Sequence, residues 1–336
     1  MKGYRVSFKK VEVAELEEFE VDLPKENEVL VRVYYTLISA GTEKANLSGA
    51  PNTPHKFPQI PGYSSVGVVE KVGKNVNGLK VGDRVFVSNG GHASYNVKRA
   101  SRVVKIPDNV PFTSAVFTRV ASFPLLALRR ARVEIGESIV VVGLGMLGLF
   151  GVQLAKIAGG LPVIGVGNRE IRREKALKLG AKIVYAPDEP ELARKIINDT
   201  KISGTGGANV VLETSGSIDA LTLGLTYTAK WGRVLVNGCN RITDKPIDLY
   251  KYVHMKGVSI IGAHDFTRLP YNSAPGNWTA LRDYMTILGY MEDGRLNTEE
   301  ILSEIVSPLE CSGVYSRLLN DRTFPLGVIF DWTKVG

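Results

Sequence analysis

The hydrophobic pattern of the chain changes near residue 118. Before that point, short stretches alternate apolar and polar residues and are separated by glycine, asparagine and proline, as in EVLVRVYYTLISAGTE, SSVGVVEKVG and GDRVFVSNGG. Alternation with a period of two predicts strands with one buried face, and the intervening residues predict turns. Residues 1–120 are therefore predicted to form a mostly β domain.

After that point, apolar runs alternate with helical segments. SIVVVG, LPVIGVG, KIVYAP, NVVLETSG, GRVLVNG and VSIIGAH are short and apolar, whereas MLGLFGVQLAKIAG and REIRREKALKLG have helical spacing and end in glycine. SAVFTRVASFPLLALRRARV also has helical spacing, with Pro124 either kinking the helix or lying in its first turn. Such alternation predicts an α/β domain with a doubly wound parallel sheet over 121–264. The mixed residues 265–336 are expected to return to the first domain.

Composition narrows the class of protein. With 336 residues, 44% of them hydrophobic and 23% charged, the chain is typical of a two-domain globular protein. It has no apolar run long enough for a membrane span, and its charged start predicts no signal peptide, so we expect a cytoplasmic protein. Two cysteines, Cys239 and Cys311, cannot form a disulfide framework or a four-cysteine zinc site.

The net charge of +8 is scattered along the chain. The exceptions are the short groups RRAR (129–132) and REIRREK (169–175), and no basic stripe with interleaved aromatic residues is present. This pattern argues against nucleic acid as a partner and favours a small polyanionic cofactor.

A glycine-rich turn follows the first strand of the α/β domain. Gly143, Gly145 and Gly148 have the spacing G-x-G-x-x-G and open a predicted helix, which is the context of a dinucleotide-binding turn. The first glycine permits the turn, the second lets a pyrophosphate approach the backbone, and the third allows close packing of helix and strand. The amides of Met146, Leu147 and Gly148 would then face the anion at the positive end of the helix.

The next strand ends without the acid that normally binds an adenosine ribose. That acid is expected about 20 residues after the turn, and Gly167 stands at this place. Gly167 leaves room, Asn168 can donate a hydrogen bond, and Arg169 suits two phosphate oxygens, with Arg172 or Arg173 in reach to reinforce it. We therefore predict NADP(H) as the cofactor. An acid that reaches the ribose from another segment would instead favour NAD.

The order of these features resembles a known family. A β-rich first domain with GYSSVGVVEKVG, VGDRV and VKIPDNV, followed by the glycine-rich turn, resembles the zinc-type medium-chain dehydrogenase/reductase superfamily along essentially the whole chain. The resemblance implies a GroES-like catalytic domain joined to a Rossmann domain. GVGNRE also resembles the G-S-R-P segment of the NADP-dependent alcohol dehydrogenases of that family.

The resemblance fails at the catalytic zinc of the family. AGTE stands where the family has C-G-T-D, which puts Ala40 in the place of a cysteine, and PGYS puts Tyr63 in the place of a histidine. The third ligand position falls near Thr118 or Arg119, and the four cysteines of the second zinc are absent. These side chains are not a zinc ligand set, so we predict no metal.

Without zinc, another group must donate a proton or a hydrogen bond to the developing oxyanion. Tyr63 is the first candidate for this role, although it could merely fill the volume of the metal. Thr42 matches the hydroxyl residue that passes the proton in alcohol dehydrogenases, and Lys44 or Glu43 could assist. His92 lies in a segment, GGHAS, that often approaches the substrate in this family.

Further candidates lie where the α/β strands end, since ligands of such sheets collect at the carboxyl ends of the strands. Thr214 and Ser215 end the fourth strand, and Asn237 and Gly238 end the fifth and are expected to reach the nicotinamide carboxamide. The resemblance also places Ser122 of VASFP beside the nicotinamide. After the sheet, a loop with Asp265, Tyr271 and Trp278 could line a polar pocket.

The sequence thus predicts an NADP(H)-dependent, zinc-independent oxidoreductase that acts on a secondary alcohol or ketone. TLISAGTE and PGYSS resemble a branch that often occurs with sugar, cyclitol or glycan genes, which makes a sugar or cyclitol a candidate substrate. The alternatives are a reductase of enones or quinones and a catalytically silent NADPH-binding protein. The exposed edge of the last sheet strand, VSIIGAHD, predicts a homodimer or homotetramer.

Overall fold

The strands and helices follow the predicted change of pattern. The computed structural model describes residues 1–201, 204, 206–269, 272–274 and 277–335. Its strands are β1 (Lys2–Lys10), β2 (Val13–Glu20), β3 (Glu28–Leu37), β4 (Ser64–Val72), β5 (Arg84–Ser88), β6 (Tyr95–Arg99), β7 (Val103–Lys105), β8 (Ile139–Val142), β9 (Val163–Val166), β10 (Ile183–Tyr185), β11 (Ala208–Glu213), β12 (Thr228–Val236), β13 (Ser259–Gly262), β14 (Leu302–Val306) and β15 (Gly327–Asp331). Its α-helices are α1 (Ala40–Leu47), α2 (Phe112–Ala115), α3 (Thr118–Ala131), α4 (Met146–Ile157), α5 (Glu170–Lys178), α6 (Leu192–Asp199), α7 (Ile218–Tyr227), α8 (Ala280–Glu292) and α9 (Cys311–Asn320).

The chain divides into two units. The first contains Met1–Val120, Tyr284–Gly294 and Ile301–Gly336, and the second contains Ala121–Asp283 and Arg295–Glu300. The predicted boundary at 120 coincides with this division. The predicted return to the first domain at 265 does not, because residues up to Asp283 pack with the second unit.

The first unit is built on an antiparallel sheet. Its strands follow the order β14-β15-β3-β4-β5-β7, with β6 also paired to β3, and β14 and β15 are the parallel pair at one end. Strands β1 and β2 form a separate antiparallel pair. The valines of β3, β4 and β5 alternate in the sequence, and those on one face, including Val29, Val69 and Val85, form a buried cluster. The residues between these valines, such as Leu30 and Phe86, are also completely buried, so the prediction of a single buried face is wrong for β3 and β5.

The second unit is built on a parallel sheet. The strand order is β10-β9-β8-β11-β12-β13, and every adjacent pair is parallel. Strands β8 and β9 are buried along their whole length, which explains why their sequences are continuously apolar. Numbered within the unit, the order is that of a dinucleotide-binding fold, and it reverses direction at β8. The predicted doubly wound α/β fold is confirmed.

Helix α3 differs in detail from the prediction. The predicted helical segment is divided into α2 and α3 at Val116 and Phe117, which are both completely buried. Pro124 lies inside α3, beyond its first turn, so the carbonyl of Val120 lacks the usual N–H donor four residues later. None of the helices among the described residues is long and apolar enough to cross a membrane.

Candidate functional site

The turn between β8 and α4 depends on two of its glycines for its own packing. Gly143 has a φ of +91°, and a Cβ there would lie 2.7 Å from the backbone nitrogen of Ser215. A Cβ on Gly148 would lie 1.9 Å from the carbonyl oxygen of Gly143. No side chain fits at either position, so these two glycines are required by the fold itself.

Packing within the protein does not require a glycine at position 145. A Cβ there would meet no atom within 4 Å, and the residue has an ordinary negative φ of −80°. It is the N-cap of α4, and no side chain caps the helix. The free N–H groups of the first turn, including those of Met146 and Leu147, lie at the positive end of the helix dipole. The open space and the uncapped amides fit an anionic group such as a pyrophosphate.

A buried carboxylate organises the neighbouring loop at the end of β11. Glu213 is completely buried, and its Oε1 accepts hydrogen bonds from the N–H of Ser215 at 2.6 Å and of Gly216 at 2.9 Å. Thr214 donates its hydroxyl to the carbonyl of Gly143 at 2.6 Å. Thr214 and Glu213 therefore hold the loop against the glycine-rich turn. Sequence reasoning overlooked Glu213, although an acid at the end of an apolar strand was a visible signal.

Asn237, at the end of β12, uses its amide nitrogen but not its side-chain oxygen in hydrogen bonds with the described residues. Its amide nitrogen donates to the carbonyls of Phe123 at 3.2 Å and Ala263 at 3.1 Å. Its Oδ1 is buried and accepts no hydrogen bond from the described residues. A buried acceptor of this kind fits an amide donor on a ligand. Gly238 is buried beside it, and a Cβ there would lie 2.3 Å from the nitrogen of Gly216.

Ser122 is fixed by an arginine that the sequence did not suggest. Arg268 donates through Nη2 to the carbonyl of Ser122 at 2.8 Å and to its hydroxyl at 3.0 Å. The same arginine binds Asp265 and Asp283. Ser122 is completely buried, so its place beside a nicotinamide stays a prediction.

Two of the three residues proposed for a polar pocket after the sheet contact arginines of the same unit. Asp265 is paired with Arg268, and Trp278 lies under the guanidinium of Arg129, 4.3 Å from its ring centroid. Tyr271 lies outside the described residues.

Three arginines follow the end of β9, and the structure gives them different roles. Arg173 donates to the carbonyls of Gly167 at 2.8 Å and Asn168 at 3.0 Å, so it holds the loop. Arg172 is half-buried beside Arg169, and its burial, together with the charge of Arg169, lowers the pKa of Arg172 to about 10. The guanidinium of Arg172 therefore carries its charge at neutral pH.

Arg169 and Arg172 lie close to each other without an ion-pair partner in the described part of the chain. Packing alone explains why residue 167 is a glycine, because a Cβ there would lie 2.9 Å from Leu144. Asn168 is exposed at the same loop. The arrangement fits an anionic group.

In the first unit, Tyr63 lies in a polar environment close to α1. Its hydroxyl is hydrogen-bonded to the hydroxyl of Ser39 and to the side chain of Thr42. The guanidinium carbon of Arg119 lies 5.0 Å from the centroid of its ring. Burial raises the pKa of Tyr63 to about 12, although Ser39, Arg119 and Thr42 act in the opposite direction. The phenol is therefore a neutral hydrogen-bond donor at physiological pH.

His92 is part of a buried network. It is completely buried, with Nδ1 2.7 Å from Thr36 Oγ1 and Nε2 3.1 Å from Glu43 Oε2. Tyr315 donates to the same Glu43 oxygen at 2.6 Å, and the N–H of Ser39 donates to the other at 2.8 Å. Because both ring nitrogens are occupied, this placement does not bring His92 to a substrate. The network instead anchors Glu43 and with it the start of α1.

The residues at the zinc positions of the family do not fit a zinc ion. Ala40 has no ligand atom, and the hydroxyl of Thr118 is bound to the carbonyl of Ala115 at 2.6 Å. Tyr63 and Arg119 offer a protonated phenol and a guanidinium, which are not the thiolate, imidazole or carboxylate ligands that zinc takes. No group of three or more histidine, cysteine, aspartate or glutamate residues with metal-binding geometry occurs in the described part of the chain.

Comparison with known proteins gives matches in both units. Residues 25–108 match the model of the alcohol dehydrogenase GroES-like domain, and residues 147–274 match the model of the zinc-binding dehydrogenases. The chain is 30% identical to an alcohol dehydrogenase of Geobacillus stearothermophilus over 337 aligned positions, which cover 90% of this chain and 92% of that protein. It is 27% identical to a D-guloside 3-dehydrogenase of Escherichia coli strain K12, over 80% of this chain and 77% of that protein.

The fold is also found among solved structures. A crystal structure of an oxidoreductase/dehydrogenase of unknown specificity from Escherichia coli superposes with a TM-score of 0.86 at 20% identity, covering 98% of this chain and 99% of that one. At this level of identity the likeness concerns the fold.

Proposed function

The chain belongs to the zinc-type alcohol dehydrogenase-like superfamily of medium-chain dehydrogenases/reductases, and we propose that it is an NADP(H)-dependent oxidoreductase that interconverts a secondary alcohol and a ketone without a catalytic zinc. The observation that carries the proposal is the unbalanced pair of arginines at the end of β9. The polar groups around Tyr63 support the part of the proposal that concerns catalysis without zinc.

The choice of NADP(H) follows from charge. Arg169 and Arg172 repel each other and share no acid among the described residues, so an anion bound between them removes an unfavourable interaction and gains charge-assisted hydrogen bonds. The 2′-phosphate distinguishes NADP from NAD and is such an anion. A ribose diol without the phosphate would instead require a carboxylate at this strand end.

The other dinucleotide contacts would come from the same unit. The N-terminus of α4 at Gly145 would hold the pyrophosphate, since its amides are uncapped and the space is open. Asn237 would bind the carboxamide through its spare Oδ1. When bound, the nicotinamide ring supplies or accepts a hydride.

The first unit supplies the proton. In the reductive direction, Tyr63 donates its hydrogen to the carbonyl oxygen of the substrate as that oxygen becomes negative, which is general acid catalysis. Its pKa of about 12 keeps the phenol protonated until that moment. A proton from solvent then replaces the one transferred, and Ser39 and Thr42, which are hydrogen-bonded to the phenol, relay it to the phenolate. In oxidation the same steps run in reverse.

A sugar or cyclitol is the substrate class that we favour. The relative from Escherichia coli strain K12 is a D-guloside 3-dehydrogenase, and the motifs AGTE and PGYSS resemble the branch found with sugar and cyclitol genes. The turn GLGMLG differs from the alanine-containing turn of quinone reductases, which favours an alcohol over an enone.

The test is steady-state oxidation of NADPH with a panel of ketoses, cyclitol ketones and enones, by protein whose metal content is measured. We expect turnover with carbonyl substrates and less than stoichiometric zinc. The variant Tyr63→Phe should lose about 100-fold to 10,000-fold in kcat while binding NADPH normally. Turnover with enones alone would establish the reductase alternative, and binding without any turnover would indicate a silent NADPH-binding protein. Stoichiometric zinc, or full activity of Tyr63→Phe, would contradict the mechanism.

A further inference from the structure

The first unit has a buried cation where the family has a metal. Of the two residues near the third zinc position, Thr118 is occupied by its bond to Ala115, whereas Arg119 extends over the ring of Tyr63 with its guanidinium carbon 5.0 Å from the ring centroid. Tyr63 itself fills the second zinc position. The two positions that lost zinc ligands are therefore in contact with each other and carry a phenol and a positive charge.

Other elements of the same unit hold Arg119 in place. The residue is 8% exposed, and its Nη1 donates to the hydroxyl of Ser88 at 2.5 Å and lies 3.4 Å from the hydroxyl of Tyr284. Ser88 and Tyr284 are themselves 3.0 Å apart. These two hydroxyls hold the guanidinium by hydrogen bonds and are themselves uncharged. A planar guanidinium stacks on aromatic rings in this way.

We propose that Arg119 supplies the fixed positive charge that zinc supplies elsewhere in the family, and that it acts on Tyr63 as a positioning residue. Its charge stabilises the phenolate that forms when the O–H bond of Tyr63 breaks and the proton passes to the substrate oxygen. The charge thus acts through the phenol and does not touch the carbonyl, as a metal would. This inference rests on the proposed function in its assignment of Tyr63 as the proton donor.

The other charge near Tyr63 does not explain the arrangement. Glu43, on α1, disfavours the phenolate, whereas Arg119 favours it. The carboxylate of Glu43 is already bound to His92, Tyr315 and the N–H of Ser39. Ser39 and Thr42 oppose the effect of burial on Tyr63 through hydrogen bonds. Arg119 opposes that effect, together with the charge of Glu43, through its positive charge.

The test measures the ionisation of Tyr63 without any substrate. Tyrosines are replaced biosynthetically by 3,5-difluorotyrosine, whose phenol ionises at lower pH, and the fluorine resonance of residue 63 is assigned by its loss in Tyr63→Phe. The pKa of this residue is then compared in the otherwise native chain and in two variants. Arg119→Gln keeps a donor for Ser88 and removes the charge, whereas Arg119→Lys keeps the charge. Arg102→Met, which removes an exposed arginine of the same unit, is the control.

We expect Arg119→Gln to raise the pKa of residue 63 by about one pH unit or more, and Arg119→Lys to raise it by less than half as much. Arg102→Met should leave it unchanged. An equal pKa in Arg119→Gln and the parent would overturn the proposal, as would equal shifts in the Gln and Lys variants, since the effect would then not depend on charge.

The same variants separate this inference from the proposed function. If the pKa responds to Arg119→Gln but no ketone is reduced by the parent protein, the electrostatic role of Arg119 stands and the proposed reaction fails. If ketones are reduced but the pKa does not respond, the reaction stands and the role of Arg119 is refuted. When both hold, kcat for Arg119→Gln should fall at least tenfold while its KM for NADPH stays within twofold, and Arg119→Lys should recover part of the rate.

Discussion

Gly145→Ala should separate the binding of a cofactor from the stability of the fold. The new Cβ meets no protein atom within 4 Å, and the backbone φ of −80° is accessible to alanine. Two small effects then oppose each other in the free protein. Alanine is a poorer N-cap than glycine by up to about 1 kcal/mol, whereas a less flexible unfolded chain contributes about 0.4–1 kcal/mol of stability. The free energy of unfolding should therefore change by less than about 1 kcal/mol.

Binding of the dinucleotide should suffer much more. The methyl group would occupy the space in which a pyrophosphate approaches the helix terminus, and overpacking of this kind costs about 1–3 kcal/mol. The affinity for NADPH should accordingly fall by about 5-fold to 150-fold. Chemical denaturation of the free protein and titration of NADPH fluorescence measure the two effects separately.

Neighbouring glycines provide the controls. Gly143→Ala and Gly148→Ala should destabilise the free protein as well, because their Cβ atoms would lie 2.7 Å and 1.9 Å from backbone atoms. Gly289→Ala, inside α8, also meets no atom within 4 Å and should stabilise the protein without changing NADPH affinity. Normal NADPH binding by Gly145→Ala, or its failure to fold without ligand, would refute the assignment of Gly145 to a ligand.

Three further predictions concern other parts of the chain. Burial raises the pKa of Tyr63 to about 12, and burial together with Asp199 raises that of Tyr185 to about 12. The stability that these two shifts contribute is complete below pH 10 and should be lost as the pH rises from 10 towards 12. Thermal unfolding at increasing pH would detect this loss. Tyr315→Phe removes a donor 2.6 Å from the buried Glu43 carboxylate and should lower the free energy of unfolding by about 1.5–3 kcal/mol; an unchanged denaturation midpoint would contradict this. We expect self-association through the edge strand β13, so that Ile260→Lys, at an exposed position of that edge, lowers the molar mass measured by light scattering.

The fold was accessible from the sequence because its periodicities are local. The apolar runs of the second unit are strands buried on both faces. The alternating runs of the first unit are also strands, although β3 and β5 turn out to be buried on both faces. Helix α6 was missed because it is short and its sequence, LARKIIND, has little apolar length. The segment 265–283 was assigned to the first domain because its mixed composition has no period, and only its packing joins it to the second unit.

The candidate site was accessible where it depends on local spacing. The glycine-rich turn is an example, since three glycines within six residues define it. Contacts between distant residues were not accessible from spacing, as the contact of Arg268 with Ser122 shows. The contact of Arg119 with Tyr63 was indicated only by the resemblance, which places both near the positions of zinc ligands. Gly167 shows a further limit: its absent side chain suggested room for a phosphate, and the structure gives packing against Leu144 as a sufficient reason. The case for NADP(H) therefore depends on the arginines.

Calorimetric titration of the purified protein with NADP⁺ and with NAD⁺, at the same ionic strength, tests this account most directly. At least one charge-assisted hydrogen bond to the 2′-phosphate predicts that NADP⁺ binds about tenfold to 100-fold more tightly, and that Arg172→Gln reduces this preference. Equal affinity for the two dinucleotides, or tighter binding of NAD⁺, would contradict the account.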